Sequence, residues 1–255
     1  MKTPLRAHEF AFYSESVKHI RSTAPGLTAV LAEKELVNRI LKIVRLQKDD
    51  HFVLFDDTHS VKATFLRTDS PKSILISIDD VRVHSALTPT IHWLLPLMKR
   101  EAFEESLYTL TEMGATSIQP LLTEKTGRMW LGEKERIRCH KIMIAAAEQS
   151  KQFLIPLLFP VCSLIEWSKS DSGQGMKIFF DASGSPLWDN VRLLDEQNPT
   201  QIIACSGPEG DLTSDEKHQL SLKGFSFCAL TPTILRAQQA IAVGLGVLRS
   251  LTRKK

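Results

Sequence analysis

The sequence contains no long apolar run, and this absence limits the classes of protein to which it can belong. A membrane-spanning helix needs about 20 consecutive apolar residues, and no segment of the 255 residues approaches that length. The N-terminal stretch carries Glu9 and Glu15 among polar residues and lacks the apolar segment of a signal peptide. We therefore expect a cytoplasmic protein that has no membrane partner.

Cysteine is also scarce in this sequence. The four cysteines lie far apart in apolar surroundings, and none belongs to a Cys-x-x-Cys pair. They are expected to be reduced residues of the core, and no ligand cluster predicts a metal site. The four are Cys139, Cys162, Cys205 and Cys228.

Several common catalytic motifs are missing. The sequence has no Gly-x-x-x-x-Gly-Lys phosphate loop, no His-Glu-x-x-His and no Gly-x-Ser-x-Gly, which excludes the corresponding kinases and hydrolases. Gly244 and Gly246 do not form a dinucleotide loop, because the pattern places them inside a helix with no preceding βαβ unit. These glycines are instead expected to permit close packing of that helix.

Charge of one sign is not in large excess. The formal net charge is only +3, so the overall charge does not indicate a nucleic-acid-binding protein. Any affinity for RNA must come from local patches. The densest basic run, residues 253–255, is also typical of the last turn of a helix, where cations suit the helix dipole.

Residues 1–86 have the pattern of a small β-barrel that carries a helix. Apolar residues from Leu36 to Arg45 have helical spacing, and turns are predicted at Asp56-Asp57 and Asp79-Asp80. Alternating or β-rich segments between these points predict the strands. The predicted strands are Phe52–Phe55, Val61–Leu66, Ser73–Ile78 and Val81–His84.

The pattern changes near residues 86–90, and a second domain is predicted over 87–255. Ile91–Met98 is apolar enough for a buried strand, an amphipathic helix follows, and Ala115–Leu122 is the next strand. This β-α-β order favours a parallel sheet with helices on its faces. The fold class is therefore α/β.

Two strand-loop-helix units end the second domain. In the first, the strand Ile202–Cys205 leads through Gly207–Asp211 to a helix that begins with the capping box Thr213–Glu216. In the second, the strand Phe225–Leu230 leads to a helix over Ile234–Leu251. Ligands of open parallel sheets bind beyond the carboxyl ends of the strands, so these two loops are the best candidates for a site. An ordinary turn has the same composition, which leaves both interpretations open.

The sequence motifs of these loops resemble those of the RsmE family, whose members methylate N3 of one uridine in 16S rRNA. The chain carries the family's Gly-Pro-Glu-Gly at Gly207–Gly210, its Ile-Leu-Arg at Ile234–Arg236, and Ala240 at the matching later position. The resemblance implies an N-terminal PUA-like β-barrel over 1–86. It also implies a C-terminal SPOUT domain with a trefoil knot over 87–255.

The same resemblance implies S-adenosylmethionine as cofactor and 16S rRNA or the small ribosomal subunit as partner. It places the cofactor between the loops that follow three strands of the second domain. The residues that it assigns to cofactor binding are Phe180, Asp181, Ser206, Gly207, Pro208, Glu209, Gly210, Leu230, Thr231, Ile234 and Leu235.

Basic residues in the segments that match the family's motifs are candidate contacts to RNA. Arg45 lies in a short motif of the first domain, and the alternative to an RNA contact is a solvated surface charge beside a core helix. The family usually continues the helix to an arginine, and Lys151 is the nearest equivalent in this chain, so a point-charge contact to phosphate is favoured over a bidentate one. The full set is Arg45, Lys99, Arg100, Arg138, Lys141 and Lys151.

Arg236 is the predicted catalytic residue. Its guanidinium is always charged and suits developing negative charge on the uracil oxygens, or a phosphate. The alternative is a structural role, in which Arg236 forms an ion pair with Glu209 or caps a helix. The sequence names no general base.

The chain departs from the family at several points around the presumed cofactor. Asp211 stands in place of a glycine, a mild change because Asp tolerates positive φ better than most residues. The chain also differs from the family at Thr231, Thr233, Gln238 and Gln239. The changes at Thr233 and Gln238 remove a cation and an anion that the family usually has. An RNA-binding protein without turnover, or a methyltransferase for another RNA site, is therefore the alternative function.

A homodimer is the expected assembly, because methyltransferases of this knotted class usually complete each site with the partner subunit. The small-residue face of the last helix, Ala240 to Gly244 with Leu245 and Leu248, suits close contact between helices.

Overall fold

The computed structural model describes residues 9–127, 129–130, 132–170, 173, 175–187 and 199–250. The chain divides into two units, Met1–Ser85 and Ala86–Lys255. Each unit has its own hydrophobic core. The basic run at 253–255 and Leu251 lie outside the described residues, as does most of the polar loop 171–175.

The first unit is a mixed five-stranded sheet in the order β1-β3-β4-β5-β2. Strand β1 is parallel to β3, and the other neighbours are antiparallel. Within the described residues the sheet is open, and no closed barrel is seen. The strands are β1 Phe10–Tyr13, β2 Thr28–Leu31, β3 His51–Phe55, β4 His59–Ser70 and β5 Ser73–Val83; the helices are α1 Val17–Ile20, α2 Lys34–Asn38 and a π-helical segment Arg39–Val44.

Alternation of apolar residues explains how this sheet buries one face. Successive side chains of a strand point to opposite faces, and Ile74, Ile76 and Ile78 of β5 are all fully buried. Leu36 and Ile40 cover the same core from the helical segment. The predicted helix in this region is present, although its second half is π-helical and ends at Arg45 with a φ of 60°.

The turn predicted at Asp79-Asp80 is wrong, because both residues lie inside β5. Asp80 pairs with Lys62 of β4, and the register shifts between Lys62 and Ala63. A β-bulge of this kind adds twist without ending a strand. The two polar residues therefore interrupt the apolar alternation but leave the strand continuous.

The second unit is built on a parallel seven-stranded sheet in the order β12-β10-β11-β6-β7-β8, with β9 also pairing with β7. The predicted parallel sheet is thus confirmed. Its strands are β6 Thr90–Pro96, β7 Ser117–Leu122, β8 Leu157–Leu158, β9 Cys162–Ser163, β10 Met176–Pro186, β11 Gln201–Ser206 and β12 Ser226–Ala229. Its helices are α3 Arg100–Glu112, α4 Glu133–Ser150, α5 Leu164–Lys169, α6 Ser214–Leu222 and α7 Ala237–Ser250.

Helices cover both faces of this sheet, which explains its nearly continuous apolar strands. On one face Trp93 of β6 packs in a core with Phe103 of α3 and Leu245 of α7. On the other face Phe179 of β10 packs in a core with Leu220 of α6. Among the described residues, no helix has the length and apolarity that crossing a membrane requires.

Two predicted boundaries in this unit are wrong. The sequence of residues 177–184 predicts a strand over Lys177–Phe180 that ends at Asp181–Gly184, but β10 runs to Pro186 after a register shift against β12 between Phe180 and Ser185. The last helix begins at Ala237 rather than at Ile234, whose side chain is 88% exposed. Both differences lie at the edge of the candidate site.

Candidate functional site

A cavity of about 800 Å³ opens at the carboxyl ends of the strands at one side of the parallel sheet. Strands β12, β10 and β11 are neighbours there, with β6 next to β11. Because the strands are parallel, the loops that follow them emerge at the same edge. The lining comes from Lys99, Glu101, Ala102, Glu105, Phe180, Asp181, Ala182, Ser206, Gly207, Pro208, Glu209, Asp211, Leu230, Thr231, Thr233, Ile234, Leu235, Arg236, Ala237, Gln238 and Ala240.

An aromatic stack forms one wall of the cavity. The Phe180 ring is buried and stacks on Trp93, with the two ring centroids 5.8 Å apart and an interplanar angle of 25°. Gly244 of α7 faces this ring, and a Cβ atom there would lie 2.5 Å from Phe180 Cε2. The absence of a side chain at Gly244 therefore lets α7 approach the ring, as the sequence led us to expect.

The loop after β11 is a tight turn closed by its own backbone. Asp211 N donates a hydrogen bond to Pro208 O at 2.9 Å, and Asp211 has a φ of 57°. Its Oδ1 accepts a hydrogen bond from Leu212 N at 2.7 Å. A Cβ at Gly207 would lie 2.9 Å from that same Oδ1. The predicted tolerance of Asp211 for positive φ is confirmed, and Gly207 leaves the room that its carboxylate needs.

Neighbouring loops hold this turn in place. Lys99 N donates to Glu209 Oε1 at 3.3 Å from the start of α3, and Lys125 Nζ donates to Gly210 O at 2.9 Å from the loop after β7. These contacts brace the turn from two further loops of the sheet edge. The turn is therefore preorganised, which reduces the entropy lost when a ligand binds.

The capping box predicted at the start of α6 is confirmed. Thr213 Oγ1 accepts from Glu216 N at 3.3 Å, and Thr213 N donates to Glu216 Oε2 at 2.9 Å. The buried Glu216 also accepts from Glu124 N through Oε1 at 2.8 Å. Helix α6 thus begins at a fixed position next to the turn.

Lys217, in the first turn of this helix, contacts the carboxylates of two different loops. Its Nζ lies 2.6 Å from Asp181 Oδ2 and 2.8 Å from Asp211 Oδ2. Burial raises the pKa of Asp181, but hydrogen bonds from Lys217 and Ser183 outweigh it, so that pKa lies below its usual value. Burial lowers the pKa of Lys217, but the two carboxylates outweigh it and the pKa is raised. Asp181 and Lys217 are therefore both charged at neutral pH.

Ser206 is one of the lining residues, and its side-chain oxygen is buried and, within the described part of the chain, unsatisfied. The residue is 1% exposed, and its Oγ has no hydrogen-bond partner among the residues that the structure describes. A buried hydroxyl without a partner costs free energy.

The cavity carries more negative than positive side chains. Glu101 and Glu105 of α3 add to the three acidic residues of the loops, whereas Lys99 and Arg236 are the lining cations. Asp181 and Asp211 are balanced in part by Lys217. The remaining carboxylates favour a ligand that bears positive charge.

The structure places the residues predicted for cofactor binding together. All of them line the cavity except Gly210, whose carbonyl instead accepts from Lys125. Arg236 also lines it, is exposed, and its side chain forms no ion pair or hydrogen bond with any described residue. The alternative ion pair between Arg236 and Glu209 is therefore not seen.

The residues predicted for RNA binding are exposed but do not form one cluster. Lys99 lines the cavity, while Arg138 of α4 donates two hydrogen bonds to Glu104, at 2.5 and 2.8 Å, and Arg100 lies 3.6 Å from the same carboxylate. Lys141 is exposed on α4, and Lys151 follows this helix with a φ of 63°. Arg45 is exposed in the first unit, where its Nε donates to Lys42 O at 3.4 Å.

Several lining residues were not predicted from the sequence. Glu101, Ala102 and Glu105 lie in the first turns of α3, and their presence follows from the position of β6 beside β11. The order of strands is not visible in a local pattern, so these residues carried no signal. The remaining lining residues lie in or beside the loops that the sequence indicated as the site: Ala182, Asp211, Thr233, Ala237, Gln238 and Ala240.

The described part of the chain holds no group of three or more His, Cys, Asp or Glu residues placed to bind a metal ion. The cysteines are free, and three of them are buried, as expected for reduced residues of the core. Burial raises the pKa of Cys228 to about 11, so its thiol is protonated at neutral pH.

Comparison with known proteins gives a consistent result. An RNA methyltransferase domain matches residues 86–249. Ribosomal RNA small subunit methyltransferase E from Synechocystis is 30% identical over 228 residues, covering 88% of this chain and 73% of that protein. The enzyme of the same name from Mesomycoplasma hyopneumoniae is 28% identical over 151 residues, 57% of this chain and 63% of its own length.

A solved structure agrees in fold. Ribosomal RNA small subunit methyltransferase E from Neisseria gonorrhoeae, crystallised with S-adenosyl methionine, superposes with a TM-score of 0.79. It is 22% identical, and the match covers 96% of this chain and 98% of that one. At this identity the likeness concerns the fold.

Proposed function

Because this chain belongs to the family of ribosomal RNA small subunit methyltransferase E, we propose that it is an S-adenosylmethionine-dependent methyltransferase that acts on N3 of one uridine in 16S rRNA. The observation that carries the proposal is the cavity of about 800 Å³ at the carboxyl ends of neighbouring parallel strands. When bound there, S-adenosylmethionine supplies an electrophilic methyl group on a positively charged sulfur. The protein is proposed to work in the cytoplasm.

The lining residues fit this cofactor in shape and polarity. The loops around Gly207 and Leu230 offer backbone N–H and C=O groups to a flat ring, and the Phe180 ring gives an apolar wall. Ser206 is among the lining residues, and the acidic lining suits a cation. The proposed cofactor-binding residues are Phe180, Asp181, Ser206, Gly207, Pro208, Glu209, Leu230, Thr231, Ile234 and Leu235, with Gly210 holding the turn.

Arg236 is proposed to stabilise the reacting uracil. N3 of uracil is protonated at neutral pH, and negative charge spreads to the ring oxygens as the proton leaves. The guanidinium of Arg236 lines the cavity, is exposed, and is not engaged by any described side chain. It is therefore available to donate charge-assisted hydrogen bonds to those oxygens.

The decisive test is a methylation assay that uses small ribosomal subunits from a strain lacking this protein as substrate. We expect the purified protein to bind S-adenosylmethionine in calorimetry and to form N3-methyluridine in 16S rRNA. Arg236→Ala should reduce methylation about tenfold or more, since a charge-assisted contact contributes roughly 1.5 to 3 kcal/mol. Its cofactor affinity should change little.

The matched control is Arg136→Ala, which removes an exposed arginine that pairs with Glu133 at 2.7 Å on α4. This variant should retain full methylation. If Arg236→Ala loses cofactor affinity and stability together with turnover, its role is structural. If the wild-type protein binds cofactor but leaves the uridine unmodified, the alternatives are a different RNA site or a binding protein, which Thr233 and Gln238 in the lining would favour.

The finer architecture is also a proposal. We propose that residues 1–86 form a PUA-like domain that binds RNA, and that residues 87–255 form a SPOUT domain with a trefoil knot. The exposure of Arg45 and the parallel sheet of the second unit support these assignments.

Separate basic residues of the second unit are proposed to meet RNA phosphates. Lys99 at the cavity is the member nearest to the proposed reaction. Arg100 and Arg138 share Glu104, so RNA must compete with an existing ion pair for them. Lys141 of α4 and Lys151, which follows that helix, complete the set.

A homodimer remains the proposed assembly, but it cannot use the face that the sequence suggested. Gly244, Leu245 and Leu248 are buried within their own chain, so a partner has access only to other sides of α7. Val243 of that helix is 38% exposed. The proposed contact therefore runs along the side of α7 that carries Val243.

Val243→Asp should convert the dimer to a monomer in sedimentation at micromolar concentration, because a carboxylate would be buried in the contact without a partner. Ile137→Asp on α4, where the native side chain is 48% exposed, is the matched control and should leave the dimer intact. A wild-type monomer with full activity would rule out a shared site.

A further inference from the structure

Lys217 connects two segments that reach the cavity from neighbouring strands, called the two loops below: residues 181–184, where the register of β10 against β12 shifts, and the turn 207–211 after β11. Asp181 belongs to the stretch of β10 that reaches the cavity, and Asp211 belongs to the turn after β11. The Lys217 Nζ atom lies 2.6 Å from one carboxylate and 2.8 Å from the other. Both aspartates line the cavity, whereas Lys217 itself does not.

Each aspartate divides its two oxygens between its own loop and the lysine. Asp181 Oδ1 accepts from Ser183 N and from Ser183 Oγ, both at 2.8 Å, while Oδ2 faces Lys217. Asp211 Oδ1 accepts from Leu212 N at 2.7 Å, while Oδ2 faces Lys217. The bonds within each loop hold its carboxylate in place, so a shift of one loop relative to the other would disturb the contact with Lys217.

The helix turn that carries Lys217 is held in a fixed position. The capping box Thr213–Glu216 fixes the start of α6, and Glu216 is tied to Glu124 N in the loop after β7. The side chain of Asp181 is 8% exposed and that of Asp211 is 56% exposed. The pair with Asp181 is therefore the stronger one, and the pair with Asp211 is weakened by solvent.

We propose that Lys217 is a positioning residue that sets the spacing of these two loops before the cofactor binds. The inference rests on the proposed function, because the ligand for which the loops are spaced is S-adenosylmethionine. Asp211, which stands where the family usually has glycine, gives this chain the second anchor of the bridge. The expected benefit is tighter cofactor binding through preorganisation, without a direct contact between Lys217 and the cofactor.

Hydrogen exchange in the cofactor-free protein tests the coupling itself. Asp211→Asn keeps an oxygen that can accept from Leu212 N but removes the charge that attracts Lys217. If Lys217 couples the loops, this variant should speed exchange of the Ser183 amide, on the other loop, by about threefold or more. An effect confined to the turn 207–212 would overturn the proposal.

Calorimetry and kinetics with S-adenosylmethionine test the consequence. Lys217→Met should weaken cofactor binding about tenfold and raise the KM for cofactor with a much smaller change in kcat, as expected for lost ground-state positioning. Lys217→Arg can contact two carboxylates and should restore most of the affinity. Lys223→Met removes a lysine at the end of the same helix, whose Nζ donates to Ser170 O at 3.1 Å, and should bind cofactor normally.

Failure of the proposed function and failure of the positioning role of Lys217 would give different results. If wild-type protein does not bind S-adenosylmethionine, the proposed function fails, and the exchange experiment still decides whether the loops are coupled. If wild-type protein binds and Lys217→Met binds equally well, the positioning role is wrong. Parallel loss of melting temperature and of kcat in Lys217→Met, without rescue by arginine, would assign Lys217 to general stability instead.

Discussion

Gly244→Ala is expected to lower the free energy of unfolding by about 2 kcal/mol and to weaken S-adenosylmethionine binding at least about tenfold. The added Cβ would lie 2.5 to 3.0 Å from three atoms of the Phe180 ring, and overpacking of a core costs roughly 1 to 3 kcal/mol. The ring cannot move freely, since it stacks on Trp93. It forms a cavity wall, so any displacement changes the site as well as the core.

Gly246→Ala is the matched control on the same helix. Its Cβ would meet Met113 Cε at 3.3 Å, and a methionine end can adjust at little cost. Alanine also favours a helix over glycine by about 1 kcal/mol, so this variant should be as stable as the wild type or more stable. Urea unfolding and calorimetry with cofactor measure both effects. Equal behaviour of the two variants would show that the contact with Phe180 does not limit packing.

Arg249→Met is expected to lower the free energy of unfolding by about 3 kcal/mol. The half-buried guanidinium donates hydrogen bonds to Pro89 O at 2.7 Å, to Met113 O at 3.3 Å and to Gly114 O. These carbonyls lie before β6 and after α3, so Arg249 joins the end of α7 to two other elements. Burial lowers the pKa of Arg249 to about 10, and the side chain remains charged at neutral pH.

The expected loss follows from the acceptors that methionine would leave without their donor. Buried carbonyls that lose a charged donor cost roughly 1 to 3 kcal/mol each when water cannot replace it, while removal of the buried charge returns part of that loss. Arg249→Lys keeps the charge but reaches fewer acceptors, so it should lie between wild type and Arg249→Met. Chemical unfolding gives the values, with Arg136→Met as an exposed control that should change stability by less than about 0.5 kcal/mol. A loss of stability from Arg249→Met as small as that of the control would show that Arg249 does not stabilise the contact of α7 with these elements.

The order of elements in the second unit was predictable because each element carries a local signal. Apolar strands, a capping box at Thr213–Glu216 and a glycine after α3 mark boundaries that depend on nearby residues. The start of α7 was not predictable in this way. Ile234 keeps helical spacing with Ile241, but the chain between them first follows the cavity, and Ile234 remains 88% exposed.

The parts of the candidate site that lie in loops with a recognisable sequence motif were predictable. The parts that depend on the order of strands in the sheet were not. The loops at Gly207 and Leu230 follow directly from their sequences. Glu101 and Glu105 enter the cavity only because β6 lies beside β11. Likewise, the ion pair of Arg138 with Glu104 joins helices that are 34 positions apart in sequence at these residues. No local pattern contains such information.

Strand β8 has a consequence for how this protein behaves in a crowded solution. It lies at an end of the parallel sheet, where Leu157 N and Phe159 N donate to Thr116 O and Ile118 O on the β7 side. Because N–H groups alternate in direction along a strand, the outward positions are those of Pro156, Leu158 and Pro160. Proline has no N–H, so in this stretch Leu158 alone offers an outward donor. An incoming strand from another molecule would find a single N–H donor in this stretch, which weakens edge-to-edge pairing and lowers the tendency of this apolar edge to aggregate.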